Sequence, residues 1–345
     1  MQSLSHQPQP LPSMANQNNS TSDQQLQFLN LPKLLIHGPP GFSSVLQLPY
    51  SQYFHILNHS SLPLHQFIAT HAHHCSSIAA ILCDSGYPVA ADELRLFPSL
   101  RLVVTTSAGT DHIDLDECRH RGVQVAGAGN LFSEDVADLA VALLIDVMMK
   151  ISAADRCLRK RVRLASRDFP LSSKLRGKKV GIVGLGKIGL EVAHRLEAFD
   201  CIISYNSRSK KPFVPYPFYS SVVELATNSN VLVLCCALSD QTRHMINREV
   251  MLSLGKGVIV NVARGALIDE KELLKCLMEG EIGGAGLDVF ENEPLVSEEF
   301  SLLDNVVLSP HAGFSTSESY IGICQLVGRN LEAFFLNKPL ITPVI

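Results

Sequence analysis

The run 179–189, K-V-G-I-V-G-L-G-K-I-G, constrains this chain more than any other stretch. A short apolar strand runs into a G-x-G-x-x-G turn, and an amphipathic helix over 190–199 comes next. Each glycine has its own task. Gly184 permits the tight turn, Gly186 lets backbone approach a pyrophosphate, and Gly189 lets helix and strand pack closely. The helix start adds unpaired N–H groups and the positive end of the helix dipole. Strand, turn and helix in this order predict a dinucleotide site, with Gly184, Leu185, Gly186, Lys187, Ile188 and Gly189 around the phosphates.

The segment after the next strand refines the ligand. The apolar run 201–205 ends in Asn206-Ser207-Arg208-Ser209-Lys210-Lys211. An NAD site usually places an acid at this strand end to hold the ribose 2′-hydroxyl. Asn206 stands there instead. Ser207, Arg208, Ser209, Lys210 and Lys211 offer hydroxyl and cationic donors suited to a 2′-phosphate, the arginine with the better-matched fork. A solvated basic loop is the plainer alternative; the missing acid favours NADPH/NADP.

Short Val/Ile/Leu runs recur at 33–37, 78–82, 102–105, 124–126, 180–183, 202–205, 231–235, 258–262, 284–288 and 306–308. Separated by helical patterns, they read as parallel strands covered on both faces. The expected fold is therefore α/β, with two doubly wound parallel-sheet domains. The helix at 134–149 is apolar on nearly every face, with Ser133 as a candidate cap, and so calls for protein cover all round. With Asp138 and Asp146 in it, it is too short and too charged to span a bilayer. A helical pattern over 317–337 is expected to return to the first unit.

Residues 1–30 form a Gln/Asn/Ser/Pro-rich tail expected to be disordered. It has neither the apolar core of a signal peptide nor the arginines of a transit peptide. The nine cysteines contain no C-x-x-C pair, and Cys235-Cys236 sit in an apolar run, so reduced thiols in the cytoplasm are expected. A net charge of −4 gives no reason to expect a nucleic acid or an anionic membrane as partner.

Three strand ends carry chemistry: N-V-A-R-G at 261–265, G-L-D-V-F-E-N-E-P at 286–294 and S-P-H-A-G at 309–313. Hydride addition to a ketone develops an alkoxide, which needs a proton and a nearby positive charge. Protonated His311 can supply the proton, Glu293 can orient and charge its imidazole, and Arg264 can grip a carboxylate and a carbonyl oxygen together. Each residue alone has a plainer reading: a buried ion pair, a helix cap, a turn histidine.

Together with T-S-A-G-T-D-H-I-D at 106–114 and the glycine turn, these segments resemble the D-isomer-specific 2-hydroxyacid dehydrogenase family from about Leu34 to the C-terminus. Within it the chain is most similar to NADPH-dependent reductases of glyoxylate, hydroxypyruvate and hydroxyphenylpyruvate. The resemblance implies a Rossmann nucleotide domain at 131–314 and a discontinuous flavodoxin-like substrate domain at 31–130 plus 315–345. It implies that Arg264 binds substrate, Glu293 (not Glu291) orients the histidine, and His311 is the proton donor. Backbone N–H groups around Ser107, Ala108 and Gly109 would hold the substrate carboxylate. Asp288 and the Val262 backbone would lie at the nicotinamide carboxamide. Relatives are usually homodimers and often carry a tryptophan in the loop before 169–171; this chain has none, and Leu164 stands there.

The implied reaction is NADPH-dependent reduction of small 2-oxo acids to D-2-hydroxy acids. A bulkier aromatic substrate and a non-catalytic dinucleotide sensor are the alternatives. The cluster His71, His73, His74 and Cys75 lacks a second ligand pair at zinc spacing, so no metal is expected. The basic run 156–167 reads as an exposed linker or subunit rim.

Overall fold

The computed structural model describes residues 31–39, 42, 53–58, 64–160 and 169–345. The expected tail at 1–30, Leu164 and most of the basic run lie outside them.

Two all-parallel sheets organise the chain. The first has strands β1 (Lys33–His37), β2 (His55–Asn58), β3 (Ile78–Cys83), β4 (Leu102–Thr105) and β5 (Gln124–Ala126), in the order β2-β1-β3-β4-β5. The second has β6 (Lys179–Val183), β7 (Ile202–Asn206), β8 (Phe218–Tyr219), β9 (Val231–Leu234), β10 (Val258–Asn261), β11 (Gly284–Leu287) and β12 (Val306–Leu308). Its order is β12-β11-β10-β9-β6-β7-β8. These are the flavodoxin-like and Rossmann-type windings, the latter reversing between β6 and β9. The expected strands are all present. β2 and β8 are additions at the sheet edges, too short to stand out in the sequence.

Alternation along the strands builds three apolar layers. Leu34, Ala80, Leu82, Val180 and Ile182 belong to one cluster that reaches both sheets, while Leu35, Ile81 and Cys83 face a second and Val183 a third. Helix α1 (Ser133–Met149) runs through the shared cluster and packs on β10, β11 and helix α2 (Lys187–Glu197). One expectation about α1 needs correction. Ser133 is buried inside the first turn rather than capping it, and Phe132 holds the cap position without a side-chain hydrogen bond. Within the single chain, Glu134, Asp138, Ala142 and Met149 form an exposed stripe of α1 at helical spacing. Asp138 on that stripe pairs with Arg195 of α2 at 2.5 Å.

Helix α3 (Ser317–Phe335) starts with Thr316 as N-cap and packs against β4. Thr316 Oγ1 donates to Asp135 at 2.9 Å, and Ser319 Oγ donates to the same oxygen, which joins the start of α3 to the start of α1. The final residues return beside β5, where Val344 N–H donates to Val125 C=O at 2.8 Å. No helix among the described residues is long and apolar enough to cross a membrane.

The glycine turn shows why its residues are fixed. Gly184 has φ +99, and a Cβ there would lie 2.5 Å from the Cys236 backbone nitrogen. At Gly189 a Cβ would lie 2.3 Å from the Gly184 oxygen, whereas at Gly186 it would point into open space. Gly184→Ala should therefore destabilise the chain by about 2–4 kcal/mol, combining a left-handed backbone penalty with overpacking. Urea unfolding followed by circular dichroism checks this, and an unchanged midpoint would refute it.

Candidate active site

A cleft of about 1390 Å³ lies where the carboxyl ends of both sheets meet. Its walls come from the segments after β3, β4, β9, β10, β11 and β12, which is where an open α/β sheet binds ligands. Arg264, Val262, Asp288 and His311 line it from one side, and Ser107, Ala108 and Gly109 from the other.

Arg264 is aimed by the residue that ends β10. Asn261 is fully buried; its Oδ1 accepts the Ala263 N–H at 3.1 Å and its Nδ2 donates to the Arg264 carbonyl at 2.9 Å. The next residue, Gly265, touches the loop after β11 so closely that a Cβ would fall 1.9 Å from the Phe290 carbonyl carbon. Arg264 Nη1 donates to the Ala263 carbonyl at 2.8 Å. Nε donates to both oxygens of Asp111 at 3.2 Å, and Nη2 to Asp111 Oδ1 at 3.0 Å. The guanidinium also covers Gly109, where a Cβ would sit 2.0 Å from Nη2.

His311 is held by a buried carboxylate. Asp288 is 2 % exposed, and its two oxygens accept the N–H groups of Ala312 at 2.8 Å and Gly313 at 3.1 Å. Its carbonyl accepts the His311 N–H at 2.7 Å. The turn so formed places His311 at φ 53, a left-handed conformation unusual for a non-glycine residue. Glu293 Oε2 lies 2.7 Å from His311 Nδ1, while Oε1 accepts the Phe290 N–H at 2.9 Å. Nε2 of His311 has no protein partner among the described residues, and the ring lines the cleft. Glu291 is engaged elsewhere, 2.7 Å from His244 Nε2.

The electrostatics stem from these contacts. Burial pushes the Glu293 carboxyl up, but the His311 and Phe290 hydrogen bonds, with the charges of His311 and Arg264, bring it below the usual glutamate range. Burial likewise raises Asp111, and the Arg264 hydrogen bonds and charge overcome it to leave a net lowering. Both carboxyls are thus held as carboxylates beside a cation.

Across the cleft the geometry differs among the three residues expected to bind a carboxylate. The Ser107 N–H donates to Thr105 Oγ1 at 3.1 Å, whereas those of Ala108 and Gly109 have no protein acceptor among the described residues. Thr105 Oγ1 also lies 2.9 Å from His112 Nε2. Asp111, Asn261 and Thr105 were not singled out in the sequence. An asparagine directly after the apolar run 258–260 is the signal that could have found Asn261, but nothing local marks the Asp111 contact.

The first turn of α2 suits a diphosphate: its N-cap is Gly186, with no side-chain hydrogen bond to the opening N–H groups. Leu185 is buried and Lys187 exposed, and Ile188 lines the cleft. Asn206 is buried, and its Nδ2 donates to the carbonyls of Tyr219 and Ser220 at 2.9 and 3.1 Å, so the strand-end amide is committed to the backbone at the end of β8. Ser207 Oγ donates to the Ser209 carbonyl at 2.6 Å, folding the loop back. Arg208, Ser209, Lys210 and Lys211 are exposed.

Members of the histidine cluster and the described arginines of the basic run have partners within the chain. His71 stacks on Phe67 with ring centroids 4.6 Å apart, and Lys33 Nζ lies 3.1 Å from His74 Nδ1. Arg156 pairs with Asp304 and Arg159 with Asp155.

Residues 141–313 match the family described as D-isomer specific 2-hydroxyacid dehydrogenase, NAD binding domain. A glyoxylate/hydroxypyruvate reductase of Arabidopsis thaliana is 51% identical, covering 91% of this chain and 97% of that one. A hydroxyphenylpyruvate reductase of Plectranthus scutellarioides is 46% identical over 88% of this chain and 96% of that one. Among solved structures, an NADPH-dependent glyoxylate/hydroxypyruvate reductase of Sinorhizobium meliloti, in complex with NADP and malonate, superposes with a TM-score of 0.82. It is 31% identical and covers 91% of this chain and 96% of that one.

The lowered Glu293 sets a pH dependence. Its folded-state value lies below the unfolded one, so its contribution to stability is present above the ordinary glutamate range and is lost as pH falls through the lowered value. Glu293→Gln should therefore lower Tm relative to the parent near pH 7, with the gap closing in strong acid. Calorimetry across that range checks it; a gap that stayed constant with pH would refute it.

Proposed function

Because the chain belongs to the D-isomer specific 2-hydroxyacid dehydrogenase family, we propose that it reduces small 2-oxo acids, hydroxypyruvate and glyoxylate first among them, to D-2-hydroxy acids with NADPH. The observation that carries the reading is the Glu293–His311 pair at 2.7 Å, with His311 lining the same cleft as Arg264, Ala108 and Gly109. The nucleotide, when bound, supplies a hydride to the carbonyl carbon. Gly184 to Gly189 and the start of α2 hold its diphosphate, and Val262 and Asp288 line the place for its nicotinamide.

The chain's own groups do the rest. Arg264 and the 107–109 loop hold the substrate carboxylate, so the carbonyl is presented in one orientation. His311, protonated and held at Nδ1 by Glu293, gives its Nε2 proton to the developing alkoxide. Arg264 stabilises the negative charge on that oxygen until the proton arrives. Arg208, with Ser207, Ser209 and Lys210, receives the 2′-phosphate; Asn206 shapes that loop through its bonds to Tyr219 and Ser220.

The domain limits we assign are 31–130 with 315–345 for the substrate unit and 131–314 for the nucleotide unit. They are supported by the return of α3 and the C-terminus to β4 and β5. We assign a homodimer joined through the nucleotide unit. The exposed apolar residues Met149, Ile151 and Leu158 support this, and a dimer mass in light scattering would test it. All nine cysteines are free, which supports a cytoplasmic setting. Hydroxyphenylpyruvate is the second reading, favoured by the 46% identical relative and by the roomy cleft.

A panel of 2-oxo acids run with NADPH and NADH tests the whole reading, and a protein that binds NADPH yet oxidises none would overturn it. His311→Gln should lower kcat by about 10²–10⁴-fold with NADPH affinity unchanged; unaltered turnover would remove His311 from proton donation. Arg208→Asp should shift the NADPH/NADH ratio of kcat/KM toward NADH by at least about tenfold, and a constant ratio would sink the phosphate assignment.

A further inference from the structure

The contact between Arg264 and Asp111 crosses the cleft from one sheet to the other, joining residues 153 apart in sequence. A guanidinium has five N–H donors. Asp111 takes the Nε donor and one on Nη2, and the Ala263 carbonyl takes one on Nη1. One N–H on each terminal nitrogen is left with no protein acceptor among the described residues. Those two form the end-on fork, which matches a single carboxylate bidentately.

The charge around this fork is unusual for an anion site. Asp84, Asp111, Asp114, Asp116 and Asp288 line the same cleft, against Arg119, Arg264 and the imidazole of His311. Both arginines already have an acidic partner: Arg119 pairs with Asp116 at 2.6 Å and Arg264 with Asp111 at 3.0 Å. Among the described residues, no lysine lines the cleft. A substrate with one carboxylate therefore uses the available fork and the 107–109 loop, and a second carboxylate finds, among the described residues of the cleft, no arginine or lysine free of an acidic partner.

We propose that Asp111 is a positioning and specificity-determining residue, which fixes Arg264 so that only its end-on fork meets the substrate and whose charge restricts the site to 2-oxo acids bearing one carboxylate. The inference rests on the 2-oxo acid reading above. Asp111 acts through Arg264 and by its field; it touches no reacting atom. Arg264 and Gly109 hold it to this arrangement, because a side chain at 109 would expel the guanidinium from its seat. The net lowering of the Asp111 carboxyl agrees, since it keeps the group charged at neutral pH.

The test compares kcat/KM for hydroxypyruvate and oxaloacetate, with NADPH, in the parent, Asp111→Asn and Asp111→Glu. The parent should prefer hydroxypyruvate. Asp111→Asn should raise the oxaloacetate/hydroxypyruvate ratio by at least about tenfold, because like charges brought together are strongly disfavoured. Asp111→Glu should restore the parent ratio, and KM for NADPH should stay constant throughout. A merely structural role would lower both substrates together and leave the ratio still. A binding arm needs no turnover: calorimetry on the NADP-loaded full chain, with oxamate as the monocarboxylate probe and malonate as the dicarboxylate. The parent should bind oxamate more tightly than malonate, and Asp111→Asn should narrow the gap. Equal binding of the two by the parent, or a substrate or affinity ratio unmoved by Asp111→Asn, overturns the proposal. If the parent reduces no 2-oxo acid, the proposed reaction fails, and the binding arm still decides the role of Asp111.

Discussion

A parallel strand covered on both faces has no room for polar side chains along its length, so chemistry collects where the strand stops. Strands β9, β10 and β11 of the second sheet obey this. β9 is Val-Leu-Val-Leu, wholly buried, and β11 is Gly-Ala-Gly-Leu, equally so. β10 is apolar until Asn261, and that asparagine has both ends of its amide satisfied by backbone. One residue past β11 stands Asp288, and three past β12 stands His311. The parallel order delivers all these ends to one side, and the first sheet brings its own ends to meet them.

This is also why so much was legible in the sequence. Strands that must be apolar on two faces announce themselves as Val/Ile/Leu runs, and a charged residue just beyond such a run has left the core for a reason. Arg264 and His311 stood out as candidates on that ground, Glu293 over Glu291 only through the family resemblance, and the glycines of the turn because a side chain does not fit at two of them. What could not be read has a different physical origin. β2 and β8 are edge strands of a few residues, where burial is partial and no long apolar run is needed. The Ser133 cap failed because tertiary burial, rather than local hydrogen bonding, decides that end of α1. The partner of Arg264 lies in the other sheet, and no periodicity or spacing reports a contact over so long a separation. Asn206 was seen as the place of a missing acid, yet its amide braces the 219–220 backbone, a job visible only once β8 lies beside β7.

The site's two ion pairs do opposite things with similar parts. Glu293 and His311 come from neighbouring strand ends of one sheet, and the Phe290 N–H fixes the carboxylate before the histidine meets it. Their geometry is local to one rigid unit. Arg264 and Asp111 belong to different sheets, so the shape of that contact records how the sheets stand toward each other. Below it, Asp135 ties the starts of α1 and α3 through Thr316 and Ser319, a second junction between the sheets. Two carboxylates, Asp111 and Asp135, thus join the segments of the two sheets.

The left-handed backbone of His311 has a consequence for how this protein withstands change. A histidine at φ 53 carries a standing conformational cost of about 1 kcal/mol, present whether or not any substrate is near. Glycine would relieve it while keeping the turn that Asp288 braces. Glycine would also remove the imidazole that meets Glu293 at 2.7 Å, so a backbone cost and a side-chain contact are set against each other at this one position.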